Sequence, residues 1–315
     1  MDKKVFRAGK EVEGLRLDLF LTGVTPEFSR SVLQKLCSQG FVLVDGKEQY
    51  KPSLRLQEGQ IIELTVPPPP PPNAEPEEIP LDIIYEDSDL LVLNKARGMV
   101  VHPAAGHQQG TLVNALLAHC HVLPTAEEKS RPGIVHRLDK DTTGLLMVAK
   151  SNLAFRSLAE QLKEREVKRE YRAVVHGAPP AVQGAVNAPL GRNPRDRKKF
   201  AVVERGKGRH AITHYFVLSK NRTAPFPFSY ISLQLETGRT HQIRVHMAYL
   251  GCPVVGDPLY GPQRSPYKLK GQLLHARKLG FIHPRHKEYL EFIVEPGDEF
   301  LPFISEGRLE ENEGL

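Results

Sequence analysis

The chain has 315 residues, room for about two domains, and its 40% hydrophobic and 25% charged content supports folded cores and excludes wholesale disorder. Its 43 Lys and Arg against 37 Asp and Glu give a net charge of +6, which admits a polyanionic partner without requiring one. Cys37, Cys120 and Cys252 lie far apart with no C-x-x-C, which fits a reducing compartment and neither a disulfide framework nor a cysteine zinc site. No run approaches the roughly eighteen apolar residues of a membrane span. The charged start Met1-Asp2-Lys3-Lys4-Val5 lacks the apolar core of a signal peptide. The expectation is a soluble cytoplasmic protein with no membrane partner.

Along residues 1–66, Leu17, Phe20 and Leu21 fall at i, i+3 and i+4, a short helix pattern. Ser29 suits the N-cap of a second helix carrying Val32, Leu33 and Leu36, with Gly40 at its end. Phe41–Val44 reads as a strand, Asp45-Gly46 as a tight turn, and Ile62, Leu64 and Val66 alternate as another strand. Two helices and a hairpin make a compact module, with Arg16, Arg30, Lys35 and Lys47 available to line one side. Pro67 to Pro72 then forbid helix and central strand and favour a stiff polyproline spacer, so residues 67–80 read as a linker.

Residues 81–300 mix strand-like stretches (83–85, 90–93, 170–175, 211–218, 230–235, 289–294) with helical ones (112–119, 152–163). Regular β-α-β alternation is missing, which disfavours a doubly wound sheet and predicts an α+β domain on a largely antiparallel sheet with flanking helices. Residues 301–315 read as an acidic tail. Between Gly191 and His210 eight Lys and Arg meet two Asp and Glu, so Arg195, Arg197, Lys198 and Lys199 form a candidate phosphate-contacting loop; a solvated surface loop fits equally well.

Some patterns are decoys. Gly206-x-Gly208-x-x-Ala211 resembles a dinucleotide fingerprint, but a strand-like run follows where a helix is needed. His119-Cys120-His121 has ligand types, yet neighbours on a helix point to different faces, so no metal is expected. Two segments resist a scaffold reading. In residues 133–149, strand formers flank the polar stretch Arg137-Leu138-Asp139-Lys140-Asp141-Thr142-Thr143-Gly144, as in a strand, a charged tip and a second strand. In residues 235–247, Gly238-Arg239-Thr240-His241-Gln242-Ile243-Arg244 crowds donors at a helix start, with Thr240 as a possible cap. Ile243, Val245 and Met247 imply partial burial there. A buried Arg244 calls for a carboxylate, and Asp139 is an attractive partner.

Together these motifs resemble the RluA/RluD family of RNA pseudouridine synthases over nearly the whole chain. The resemblance is carried by Arg16-Leu17-Asp18, Ser29-Arg30-Ser31 and Val44-Asp45-Gly46-Lys47 in the small module. Downstream it rests on Leu93-Asn94-Lys95, Gly98 to Pro103, His136-Arg137-Leu138-Asp139, Thr142-Thr143-Gly144, Tyr171-Arg172-Ala173 and Gly238 to Arg244. Ala96-Arg97 and Thr143 depart from the usual pattern. The resemblance implies Asp139 as catalytic aspartate, Tyr171 as the aromatic stacking on the target base and Arg244 as the partner of Asp139. Arg137, Lys140, Arg239, Thr240, His241 and Gln242 would then contact RNA. It implies neither cofactor nor metal. The module-and-linker layout is similar to that of the family's RluD branch, and this resemblance implies large-subunit (23S) ribosomal RNA as substrate, met as RNA or in a pre-ribosomal particle, by a monomer. A transfer-RNA or dual-specificity synthase, or a non-catalytic RNA-binding assembly factor, remain the alternatives.

Overall fold

The computed structural model describes residues 2–25, 28, 30–66, 74–103, 109–120, 123–124, 132–194, 196, 199–221, 226–262, 267 and 269–305. The chain divides into two compact units, Met1–Pro71 and Pro72–Leu315.

In the first unit, β1 (Asp2–Arg7) precedes helices α1 (Leu17–Val24) and α2 (Arg30–Ser38), then β2 (Val42–Val44), β3 (Lys47–Glu48) and β4 (Ile61–Val66). The strands form an antiparallel sheet in the order β1-β4-β2-β3. Both helices, the Asp45-Gly46 turn and Gly40 at a positive φ of 82° behind α2 follow the sequence expectation. Ser29 lies outside the described residues. β1 was not expected: its charged residues mask the alternation, because an edge strand needs to bury only one face. Leu17, Phe20, Leu21, Leu33 and Leu36 pack on Val42, Val44, Ile62 and Leu64 to form the core.

The second unit runs β5 (Ile83–Glu86), β6 (Leu90–Lys95), α3 (Leu112–His119), β7 (Thr143–Ala149), α4 (Asn152–Lys163) and β8 (Lys168–His176). It continues with β9 (Gln183–Asn187), β10 (Leu190–Arg192), β11 (Phe200–Val202), β12 (Ile212–Asn221) and β13 (Phe228–Leu235). The last elements are α5 (Gln242–Tyr249), β14 (Leu274–Ile282), β15 (Tyr289–Ile293) and α6 (Leu301–Ser305). Nine strands form one sheet in the order β5-β6-β7-β14-β8-β13-β12-β9, with β15 beside β14. Each pairing is antiparallel except β7 with β14. The α+β architecture is as expected. The strand that decides the site, β14, carried no alternation to announce it, because it lies in the middle of the sheet and is buried on both faces.

The unit reaches further in both directions than the sequence suggested. Ala74 is buried in the main core, and the Glu75 carbonyl accepts from Asn114 Nδ2 at 2.7 Å, so part of the expected linker packs on α3. Phe300 and Phe303 are buried against Phe228 and Val174, so residues 301–305 are helix rather than tail. Residues 306–315 lie outside the described residues.

Candidate active site

Asp139 sits on a turn closed by Thr142 N–H donating to the Asp139 carbonyl at 3.1 Å. The turn leads directly into β7. It is no hairpin: Ile134 makes a single bridge to Val148, and residues 135–142 run without a strand. What holds the turn comes from elsewhere in the chain. Lys95 Nζ, 1% exposed, donates to the carbonyls of Lys140, Met99 and Ala96 at 2.9–3.0 Å. Burial pushes that ammonium down to about 7 against the pull of Asp141 and Asp139. Gly98 N–H also donates to the Lys140 carbonyl, and Arg97 Nη1 donates to the Asp141 carbonyl at 2.9 Å. Arg97, a departure from the family pattern, thus serves as a brace. Gly144 has φ 106°, and a Cβ there would lie 2.3 Å from the Ala276 carbonyl oxygen. Only glycine lets β7 approach β14 at this point.

Opposite the turn, α5 presents Arg244. The helix begins after His241, whose φ of 57° is left-handed, and no side chain caps it. Thr240 is therefore not the cap. Arg244 is 3% exposed. Its Nη1 donates to Asp139 Oδ2 at 2.8 Å, while Nε and Nη2 fork onto Asp257 at 2.7 and 2.8 Å. Burial works against the guanidinium's charge, but the Asp257 and Asp139 carboxylates outweigh it and raise its pKa above that of free arginine. The guanidinium also lies 5.2 Å from the centre of the Tyr260 ring. Asp257 escaped the sequence reading. It is fully buried, also accepts from Leu259 and Tyr260 N–H, and so anchors Arg244 to a tight turn. Its only signal was the turn-forming run Gly256-Asp257-Pro258.

Tyr171 completes the group from β8, paired with Ala276 of β14 and Leu233 of β13. It is 6% exposed, and burial raises its phenol pKa, so the ring stays neutral. Asp139, Arg244 and Tyr171 line one cleft of about 390 Å³, within the usual range of small-ligand pockets. Its apolar walls are Ile134, Leu138, Leu235, Ile243 and Leu274. His241 Nε2 stands 3.8 Å from Asp139 Oδ1, too far for a hydrogen bond. Tyr260 Oη accepts from Phe200 N–H and shares a hydrogen bond with His241 Nδ1 at 2.9 Å, which holds the imidazole beside Asp139. Burial, partly offset by the Asp139 charge, lowers the His241 pKa and keeps the ring neutral. His136 is neutral too: burial and the Arg169 charge push it down to about 3, and Nε2 accepts from Met147 N–H.

The expected RNA contacts divide. Arg137, Arg239, Thr240 and His241 line the cleft, and Lys140 is exposed beside Asp139. Gln242 lines the same cleft but differs from these in burial. It is 3% exposed, its Nε2 donates to the Ile212 carbonyl and the Thr213 hydroxyl oxygen, and its Oε1 accepts from the Thr237 hydroxyl and Arg239 N–H. With its amide satisfied internally it holds the loop before α5 in place. In the first unit Lys35 and Lys47 are exposed. Arg16 and Arg30 are turned onto buried Asp18 at 3.0 and 2.9 Å, which a charge count could not foresee. The basic segment is not a bare loop: β10 and β11 pair, and Phe200 and Val202 pack beside Val245. Lys199 lies 3.9 Å from Asp196, whereas Arg195, Arg197 and Lys198 lie outside the described residues.

No metal-like group lies in the cleft among the described residues. Glu86, His119 and Cys120 do converge at the C-terminal end of α3. However, Glu86 is occupied by Lys150 at 2.6 Å and His119 at 2.9 Å, and burial raises the Cys120 thiol's pKa, so they form an ion-pair cluster.

A carboxylate held by a guanidinium beside a buried ring, on a mixed sheet of this order, defines a class. Residues 89–249 match the family described as RNA pseudouridylate synthase, and residues 15–62 match the S4 domain. The chain belongs to the RNA pseudouridylate synthase family and is an RNA pseudouridine synthase with an N-terminal S4 domain. It is 48% identical over 285 residues to the uncharacterized RNA pseudouridine synthase YlyB of Bacillus subtilis, covering 90% of this chain and 91% of that one. Ribosomal large subunit pseudouridine synthase D of Zymomonas mobilis is 43% identical over 304 residues, 93% and 94% of the two chains. The solved structure of human RNA pseudouridylate synthase domain containing 1 superposes with a TM-score of 0.57 at 29% identity, over 71% of this chain and 86% of that one.

Proposed function

We propose that this synthase isomerises uridines of large-subunit ribosomal RNA in the cytoplasm, with Asp139 as the reacting carboxylate. The observation that carries the chemistry is the 2.8 Å contact between Arg244 Nη1 and Asp139 Oδ2 in a cleft walled by the Tyr171 ring. The names of the 43–45% identical relatives supply the choice of RNA.

The reaction breaks the bond from C1′ to N1 of uracil, forms one from C1′ to C5, and moves a proton from C5 to N1. It consumes nothing and is redox-neutral. Asp139 can act in two ways, by attack at C1′ or by removal of a sugar proton, and either needs the ionised carboxylate. Arg244 donates to one oxygen and leaves the other, 16% exposed as a side chain, toward the cleft. The target must leave its stack, which costs a few kcal/mol, and stacking on Tyr171 returns about 1–3 kcal/mol.

Cells lacking the chain are expected to lose a discrete set of pseudouridines from 23S rRNA. The wild-type gene restores them, and Asp139→Asn does not, its conversion falling by at least about a hundredfold while RNA binding persists. Lost sites confined to transfer RNA would overturn the choice of substrate, and restoration by Asp139→Asn would overturn the choice of residue.

A further inference from the structure

We propose that Arg169 is a substrate-binding residue that takes a phosphodiester oxygen next to the target uridine. The inference rests on the reading of the cleft given above. It concerns how the everted nucleotide is held, and it begins from strand geometry. Arg169 and Tyr171 are two apart on β8, so their side chains leave the same face, about 7 Å apart along the strand. That is close to the reach of one nucleotide from base to backbone. Both line the cleft with Asp139.

The charge of Arg169 is uncompensated where it stands. Its Nε is buried with no hydrogen-bond acceptor, and no carboxylate lies within ion-pair distance of it among the described residues. Two acids close in sequence to Arg169 and Gly238 are paired with other cations. Glu170, on the opposite face of the strand, pairs with Arg172 and Arg277, and Glu236 pairs with Arg165 and His214. His136 beside it is neutral and offers no anion. A buried donor left without acceptor costs about 1–3 kcal/mol, more when charged, so a fold that keeps one in a ligand cleft has placed an acceptor site there. The acceptor that matches a planar, forked cation is a phosphate oxygen pair.

The second observation is the space kept for it. A Cβ at Gly238 would stand 2.9 Å from Arg169 Nη1. The backbone at Gly238 has no positive φ that would explain a glycine. Its bare Cα instead lets the guanidinium lie against the loop that leads to His241 and Arg244. Gly238 and Arg169 thus form one feature of the cleft wall.

The test uses the full chain and an rRNA fragment that the wild type converts, followed by single-turnover conversion across RNA and KCl concentrations. Arg169→Met is expected to raise the half-saturating RNA concentration about tenfold or more, with the maximal rate within about threefold. It should also reduce the slope of log affinity against log salt by about 0.7, the value for one phosphate of a single strand. Arg169→Lys restores the slope but not the full affinity, because the fork is lost. Gly238→Ala shifts half-saturation in the same direction with Arg169 intact. An unchanged salt slope, or a loss of maximal rate at unchanged half-saturation, overturns the proposal. Should Arg169→Met fail to fold, wild-type half-saturation in Arg169→Lys overturns it. Failure of the underlying reading shows separately, as conversion retained by Asp139→Asn.

Discussion

A guanidinium shared by two carboxylates is oriented by the one it grips with both prongs. Arg244 spends Nε and Nη2 on Asp257 and has Nη1 left for Asp139, so the buried acid aims the cation and the half-open acid receives it. Asp257→Asn keeps the shape but can accept on one atom only. Losing a charge-assisted bond of about 1.5–3 kcal/mol corresponds to roughly a ten- to hundredfold drop in kcat. RNA affinity should not change, since Asp257 is fully buried and touches no solvent. Single-turnover rates against RNA concentration check this. A fall in affinity alone would mean that Asp257 serves the surface of the cleft and not Arg244. Arg244→Lys has the same weakness in another form, because an ammonium cannot reach both acids in one plane.

At the scale of elements, α1 of the small unit is pinned by a buried charge. Asp18 is 1% exposed and accepts from Arg16, Arg30 and Gln34 Nε2. Burial opposes its charge, but those donors outweigh burial and hold its pKa well below the usual carboxylate value. A depressed folded pKa contributes stability that is complete above the unfolded value, near 4, and is lost as the pH falls toward the folded one. The first unit should therefore lose urea resistance steadily below about pH 4, whereas Asp18→Asn is weaker at neutral pH and nearly flat across that window. Urea midpoints followed by amide NMR of residues 17–24 read this out. Parallel curves for the two proteins would sink the account. Arg16 and Arg30, half-exposed, remain solvated when the carboxylate is gone.

For the molecule as a whole, each unit carries its own sheet and its own buried cluster. A chain cut to residues 72–315 should fold and still convert uridine in a short stem-loop with nearly the wild-type kcat, because each residue of the Asp139 cleft belongs to it. The half-saturating concentration of a large rRNA fragment should rise about tenfold or more, since a second attachment on the same RNA is removed. Equal half-saturation for both lengths would mean that the S4 domain adds nothing to RNA capture.

Much of this was legible from residue order, and the limits have a physical cause. Helix α4 shows its periodicity because one face meets water, whereas the strands around Leu90 and Tyr230 stand out as nearly unbroken runs of strand formers, buried on both faces. Asp139 and Arg244 stood out as charged residues in runs that scaffolding does not explain, whereas Tyr171 sits in an ordinary strand pattern and was marked only by the family resemblance. Three things were settled only by tertiary contact. β14 is buried on both faces and slips between β7 and β8, which alone brings Asp139 and Tyr171 to one cleft. Gln242 and Lys95 are polar residues turned inward, where their partners come from distant stretches of chain. Asp257 earns its place only by facing Arg244 across the fold. Local order encodes what a segment can do with its own neighbours and with water; which charge meets which depends on contacts between segments tens to hundreds of residues apart, and that no period in the sequence can record.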